Sequence, residues 1–192
     1  MIAGLILAAG ESSRMGQDKA LLAYRGSTFL EHIILTLREA GIDRIGVVLG
    51  HHAEEIKQRV NLEGIEATVN PAYPRGQTSS LQCGLRAFLH PELEAILLCL
   101  VDHPAVTPEV VRQLVKRFRE TSAPVVIPTY QGQRGHPVLL GRVLFSELLE
   151  LESGAGADAV VRKYRNQTAW VEVEDDGILM DIDNPENYRH MP

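Results

Sequence analysis

The sequence is poor in several things. Cysteine occurs only twice in 192 residues, as Cys83 and Cys99. Neither belongs to a C-x-x-C pair, so their spacing excludes a cysteine zinc site. Both sit in apolar surroundings and read as small buried hydrophobes. No apolar run approaches the ~20 residues needed to span a bilayer. The N-terminus lacks the basic flank and apolar length of a signal peptide, which leads us to expect a cytoplasmic protein. Cations are outnumbered, 19 Lys and Arg against 25 Asp and Glu, for a formal net charge of −6. That balance argues against a nucleic-acid partner but not against a small anion held in a local cationic pocket. There is no internal repeat, low-complexity segment or linker, so one domain spanning 1–192 is expected.

What is present is alternation. Residues 2–8 and 95–101 are continuous apolar runs, the pattern of strands buried on both faces of a parallel sheet. Residues 44–49, 65–69, 124–127 and 168–173 read as further strands. Helical stripes occupy 28–40, 53–60, 79–89, 142–151 and 159–164, and another helix follows Thr107, a candidate cap, with Pro108 at its first position. "TYQGQRGHPVLL" reads as a hairpin or a loop crossing to another strand. "EDDGILMDIDNPENY" reads as a turn, a short strand and a capped helical end. Alternating βα units imply an α/β domain with a mainly parallel sheet.

In such sheets ligands bind beyond the carboxyl ends of the strands. That places Leu7, Ala8, Ala9 and Gly10, then Asn70, then Asp102, at one edge. The small residues let a ligand approach the backbone, where successive amides make an anion-binding concavity. Arg14 offers a fork for phosphate oxygens, and Lys19 a compact charge. The loop is neither G-x-x-x-x-G-K-[ST] nor G-x-G-x-x-G. Asp102, directly after the most apolar strand, suits Mg²⁺, which takes one or two carboxylates together with phosphate oxygens and water. In "DIDNP", Asp181 and Asp183 share a side of an extended segment. A plain turn explains Asp181 equally well. His136, held between Gly135 and Pro137, carries little signal by itself.

These stretches resemble a family. "LAAGESSRMGQDK", "NPAYPRGQTSSLQCGL", "VDHP", "RGHPVLL", "GAGADAVV" and "DIDNPENY", in order from residue 5 to residue 188, are similar to blocks of the molybdenum cofactor nucleotidyltransferases, and most of all to the cytidylyltransferase branch. The resemblance implies a three-layer α/β/α Rossmann-like fold of the nucleotide-diphospho-sugar transferase type. It implies transfer of CMP from CTP to the terminal phosphate of molybdopterin with release of pyrophosphate. A molybdoenzyme of the hydroxylase class would be the transient recipient.

On that reading Arg14 and Lys19 hold the leaving phosphates, and Asp102 with Asp183 holds Mg²⁺. Gly76, Ser79 and Ser80 meet the nucleoside, and His136 faces the pterin. The related guanylyltransferases have Gly where this chain has Ala9, so the added methyl is expected to favour a pyrimidine. The family's usual ending, D-T-P-E-D, is altered here by Asn184 and Asn187. Other readings stay open: use of GTP, another phosphorylated acceptor such as a sugar phosphate, or a non-catalytic cofactor-binding chaperone.

Overall fold

The computed structural model describes residues 1–13, 15–152 and 154–191. Strand β1 (Ile2–Ala8) leads through a 3₁₀ turn at Lys19–Leu21 and a small ribbon, β2 (Ala23–Tyr24) and β3 (Ser27–Thr28), into helix α1 (Phe29–Glu39). There follow β4 (Arg44–Leu49), α2 (Ala53–Arg59), β5 (Glu66–Val69), α3 (Gln77–Phe88), β6 (Ala95–Leu100) and α4 (Pro108–Thr121). The remainder is β7 (Val125–Tyr130), β8 (Gln133–Arg134), β9 (Val138–Gly141), α5 (Phe145–Leu149), α6 (Ala157–Lys163), β10 (Thr168–Glu172) and α7 (Pro185–Arg189).

The sheet runs β10-β7-β9-β6-β1-β4-β5, with β8 hydrogen-bonded to β7. Pairings are parallel except those of β9 with β6 and β7, and of β8 with β7. Side chains alternate across the pleat. Ala3, Leu5 and Leu7 of β1 therefore enter the core under α3, α5 and α6, while Ile6 and Ala8 enter the one under α1, α2 and α4. This is the α/β domain with a mainly parallel sheet that the alternation implied, in the three-layer α/β/α Rossmann-like arrangement that the resemblance implied.

Local chemistry explains the element ends. Thr28 accepts from Glu31 N, and Glu31 accepts in return from Thr28 N, a reciprocal capping box that starts α1. Gly41, at φ +84°, supplies the left-handed residue just beyond its end. Gly46 is needed for a different reason: a Cβ there would lie 2.1 Å from the Phe88 ring, which packs α3 onto β4.

Several expectations are corrected. The 142–151 helix is split into a 3₁₀ turn at Arg142–Leu144 and the five-residue α5. The short strand expected near the C-terminus is a 3₁₀ turn at Asp176–Leu179. Thr107 occupies the cap position of α4 but makes no side-chain cap; its hydroxyl donates instead to Asp175 Oδ2 at 2.7 Å. Cys99 is buried as expected, whereas Cys83 is only partly so. The "TYQGQRGHPVLL" stretch does both things considered for it: β8 folds back on β7 as a hairpin, and β9 inserts between β7 and β6.

Candidate functional site

The chain order reverses about β1. Its neighbour β4 is reached through α1 on one face, and β6 through α3 on the other. Their carboxyl ends therefore diverge, and a crevice opens there. It is a cavity of about 390 Å³ lined by Leu7 to Gly10, Ser12, Ser13, Asp18, Lys19, Tyr73, Gly76, Gln77, Ser80, Leu100 to Asp102, and Asp183.

Lys19 is the hub. Its Nζ lies 3.1 Å from Asp102 Oδ2 and 2.5 Å from Asp183 Oδ1. Burial alone would lower its pKa. The hydrogen bond to Asp183 and the charge of Asp102 outweigh burial, so the value is raised and the ammonium is retained. Asp18 and Ser12 fix the backbone that carries Lys19. Asp18 is buried, accepts from Ala20 N at 2.9 Å and meets His52 Nδ1 at 3.2 Å, and Ser12 Oγ accepts from Lys19 N at 3.0 Å.

A satellite core brings the C-terminus to this place. Ile182 packs with Leu22, Tyr24, Phe29 and Ala105, its amide donates to the Asp102 carbonyl at 2.9 Å, and Tyr188 donates to the Ala23 carbonyl at 2.9 Å. With Ile182 turned inward, Asp181 and Asp183 stand on the outer side, as their spacing suggested. Asp181, exposed, joins Asp102 and His103: one ligand atom from each lies within 4.8 Å of the others. Burial, followed by the charges of Asp102 and Asp183, raises the Asp181 carboxyl.

Asn70 does not line the cavity. It is buried at 3% exposure; its Nδ2 donates to Ser79 and Ser80 at 2.9 and 3.0 Å, and its Oδ1 accepts from Ala72 N at 3.0 Å. It clasps the 72–80 loop, so that Tyr73, Gly76, Gln77 and Ser80 face the cavity and the uncapped N-terminus of α3 opens on it. Free N–H groups and the helix dipole favour an anion there. Ser79 is turned toward the carbonyls of Ala72 and Gly76 instead. Asn70→Ala is expected to lower the unfolding free energy by about 1–3 kcal/mol, the cost of leaving buried partners unsatisfied. It should also raise KM for nucleotide more than it lowers kcat. Denaturant midpoints and steady-state kinetics check both.

His136 is also outside the cavity lining. Its ring lies 4.9 Å from that of His103, in a narrow crevice bounded by α1 and α4. Burial, then the neighbouring His103, pushes its pKa down to about 4, so the imidazole is neutral at pH 7. Arg14 lies outside the described residues. The sequence reading missed Asp18, Ser12 and Tyr73. Tyr73 had no motif to announce it. Asp18, a carboxylate before a buried lysine, carried the signal of a cap.

The residues fit a divalent cation. Asp102 Oδ1 is buried with no hydrogen-bond partner among the described residues, Asp102 and Asp183 both meet Lys19, and Asp181 stands beside Asp102. An uncompensated buried carboxylate oxygen is costly unless something positive meets it.

Comparison with known proteins agrees with the fold. Along 96% of its length the chain is 30% identical to the nicotine blue oxidoreductase of Paenarthrobacter nicotinovorans, covering 93% of that protein. It is 28% identical to the molybdenum cofactor cytidylyltransferase of Escherichia coli K12, over 96% of this chain and 92% of that one. The structure of Rv0371c from Mycobacterium tuberculosis H37Rv in complex with manganese superposes with a TM-score of 0.82 at 29% identity, covering 98% of this chain and 96% of that one. A family model described as the MobA-like NTP transferase domain matches residues 4–169, more than four fifths of the chain, and the protein belongs to that family.

Proposed function

We propose that the protein transfers CMP from CTP to the terminal phosphate of molybdopterin, with pyrophosphate as the leaving group. The observation that carries this reading is Lys19 set between Asp102 and Asp183 on the cavity wall, opposite the uncapped start of α3. Transfer of a nucleotidyl group asks for positioning and charge neutralisation more than for a covalent nucleophile. The cavity supplies both: small residues after β1 for close approach, the amides of α3 for one phosphate, and Lys19 for another. Arg14 would add its fork to the leaving phosphates. Asp102 and Asp183 would hold Mg²⁺, which when bound neutralises phosphate charge and polarises a phosphoryl oxygen. Deprotonated acceptor phosphate needs no general base, which agrees with a site built of charges rather than of a base and a nucleophile.

Ala9 supports CTP as the donor. It lines the cavity, where its methyl takes up room that a glycine would leave. The purified protein is incubated with molybdenum-loaded molybdopterin, Mg²⁺ and each NTP, and pyrophosphate is measured. Release with CTP above all others is expected, and Ala9→Gly should shift preference toward GTP. Release with no nucleotide excludes the reading, and release with GTP above CTP moves it to the guanylyl branch.

The relative named as an oxidoreductase motivates a second reading, hydride transfer from a pyridine nucleotide. Here β1 runs into A-A-G-E-S-S rather than G-x-G-x-x-G, and the cavity's paired carboxylates would repel a pyrophosphate that no metal accompanies. Saturable NADPH binding in the absence of metal would favour that reading.

A further inference from the structure

Among the described residues, Tyr73 is the only aromatic side chain that lines the cavity. It is half-buried, packed against the core that holds Ala9 and Leu81 and open on its other side to the cavity. Two contacts fix where the ring stands. Its hydroxyl shares a hydrogen bond of 2.8 Å with His51 Nδ1. Gly50 permits close approach behind it: a Cβ there would lie 2.9 Å from the Cβ atoms of both Tyr73 and Ala9. His51 also joins two walls of the cavity. Its amide donates to the Ala9 carbonyl at 3.4 Å while its ring holds Tyr73. The His52 ring packs edge-on against His51, with centroids 4.2 Å apart, and its Nδ1 meets Asp18 at 3.2 Å. A line of contacts thus runs from Tyr73 to the turn that carries Lys19.

The fold has little need of this ring. Asn70 already clasps the 72–80 loop through Ala72, Ser79 and Ser80. The inner face of α3 is filled by the fully buried Leu81, Leu85 and Phe88. What remains is an aromatic surface, anchored on one side and open on the other, which a flat apolar ligand would cover. A nucleobase is such a ligand. Every base has a π-face, so an aromatic side chain binds it with little regard to which base it is.

We propose that Tyr73 is the face on which the nucleobase stacks, and that His51 is the positioning residue that holds it there. This rests on the nucleotide-binding part of the proposed function and divides the work within it. Ala9 sets the room at the edge of the base, and so which base enters. Tyr73 binds the face of any base. The Lys19 side of the cavity takes the phosphates.

Titration calorimetry with Mg²⁺ and no acceptor compares CTP, GTP and inorganic tripolyphosphate, which has the phosphates without a base. The wild-type protein should bind CTP at least about tenfold more tightly than tripolyphosphate. Tyr73→Leu keeps apolar bulk on the core but has no π-face. It should weaken CTP and GTP alike by about 5- to 100-fold, and tripolyphosphate by less than about twofold. His51→Ala should weaken both nucleotides by about 3- to 10-fold, the worth of one hydrogen bond, and again spare tripolyphosphate. His51→Asn, whose amide reaches the position of Nδ1, should recover wild-type affinity to within about twofold. His51 is exposed, so its variants report even if Tyr73→Leu folds poorly. Equal wild-type affinity for CTP and tripolyphosphate overturns the proposal. So does Tyr73→Leu with unchanged nucleotide affinity, or with an equal loss for tripolyphosphate, which would make the ring loop packing alone. A His51→Ala loss that His51→Asn leaves in place overturns the positioning role. None of these readouts uses turnover. A protein that stacks a base on Tyr73 but releases no pyrophosphate keeps this proposal and loses the transfer reading.

Discussion

Asp102→Asn should lower kcat/KM for pyrophosphate release by about 10³-fold while leaving the protein folded. The size follows from the position. Asp102 closes the crevice at the carboxyl end of the central β6, and its Oδ2 is 3.1 Å from Lys19 Nζ. Losing one oriented electrostatic group at a site of charge development costs about 10²–10³ in rate. Here the same substitution also removes a carboxylate that would hold a divalent cation. The amide keeps the shape of the carboxyl group and can still accept from Lys19, so packing is undisturbed. It also takes one negative charge from beside Asp181 and Asp183, which relieves repulsion. The thermal midpoint should therefore stay level or rise slightly. Unchanged turnover would remove Asp102 from the machinery. Lost turnover together with a collapsed midpoint would make its role structural.

Much of this geometry was legible in the chain because it follows from periodicity. Continuous apolar runs marked β1 and β6 as central, and the rule of carboxyl-end crevices then singled out Ala8 to Gly10 and Asp102. Lys19 was read from the charge of the loop after β1 and Asp183 from the two-residue spacing in D-I-D, and the structure brings Lys19 to both Asp102 and Asp183. Where the reading fell short, the cause is tertiary. Asn70 follows a strand end as a ligand residue would, yet its amide is consumed in clasping the loop, and no pattern distinguishes those two uses. Ser79 and Ser80 are adjacent on α3, so about 100° of helical turn sends one into the cavity and the other to backbone carbonyls. Thr107 and Pro108 have the residue types of a helix start, but Asp175, 68 positions away, captures the hydroxyl. His136 was placed facing a substrate, whereas β9 entering the sheet sets it behind His103. The Thr107 and His136 cases depend on contacts between residues distant in sequence, and the Asn70 and Ser79 cases on how one loop closes on itself.

The ammonium at the centre of the site gives the second large effect. Lys19→Met should reduce kcat by about 10³-fold, on the same electrostatic argument. It should also destabilise the fold, in contrast to Asp102→Asn. Methionine fills the space of the lysine stem but removes the ammonium that both Asp102 and Asp183 contact. Breaking a buried pair costs about 3–5 kcal/mol. The carboxylate side chains are 25% and 42% exposed, and water screens part of their repulsion. A loss of about 1–3 kcal/mol is therefore expected. The pH dependence gives a sign. Lys19 has a folded pKa raised above 10.5. Its contribution is full below 10.5 and is lost as pH rises through the higher folded value. The stability gap between wild type and Lys19→Met, read from urea midpoints, should be constant between pH 7 and 9 and narrow above pH 10.5. A gap that widens in alkali would mean that Lys19 folds as the neutral amine. Lys19→Arg should restore most of the stability and little of the activity. The guanidinium keeps the charge but replaces a compact ammonium that meets two carboxylates with a wider planar fork.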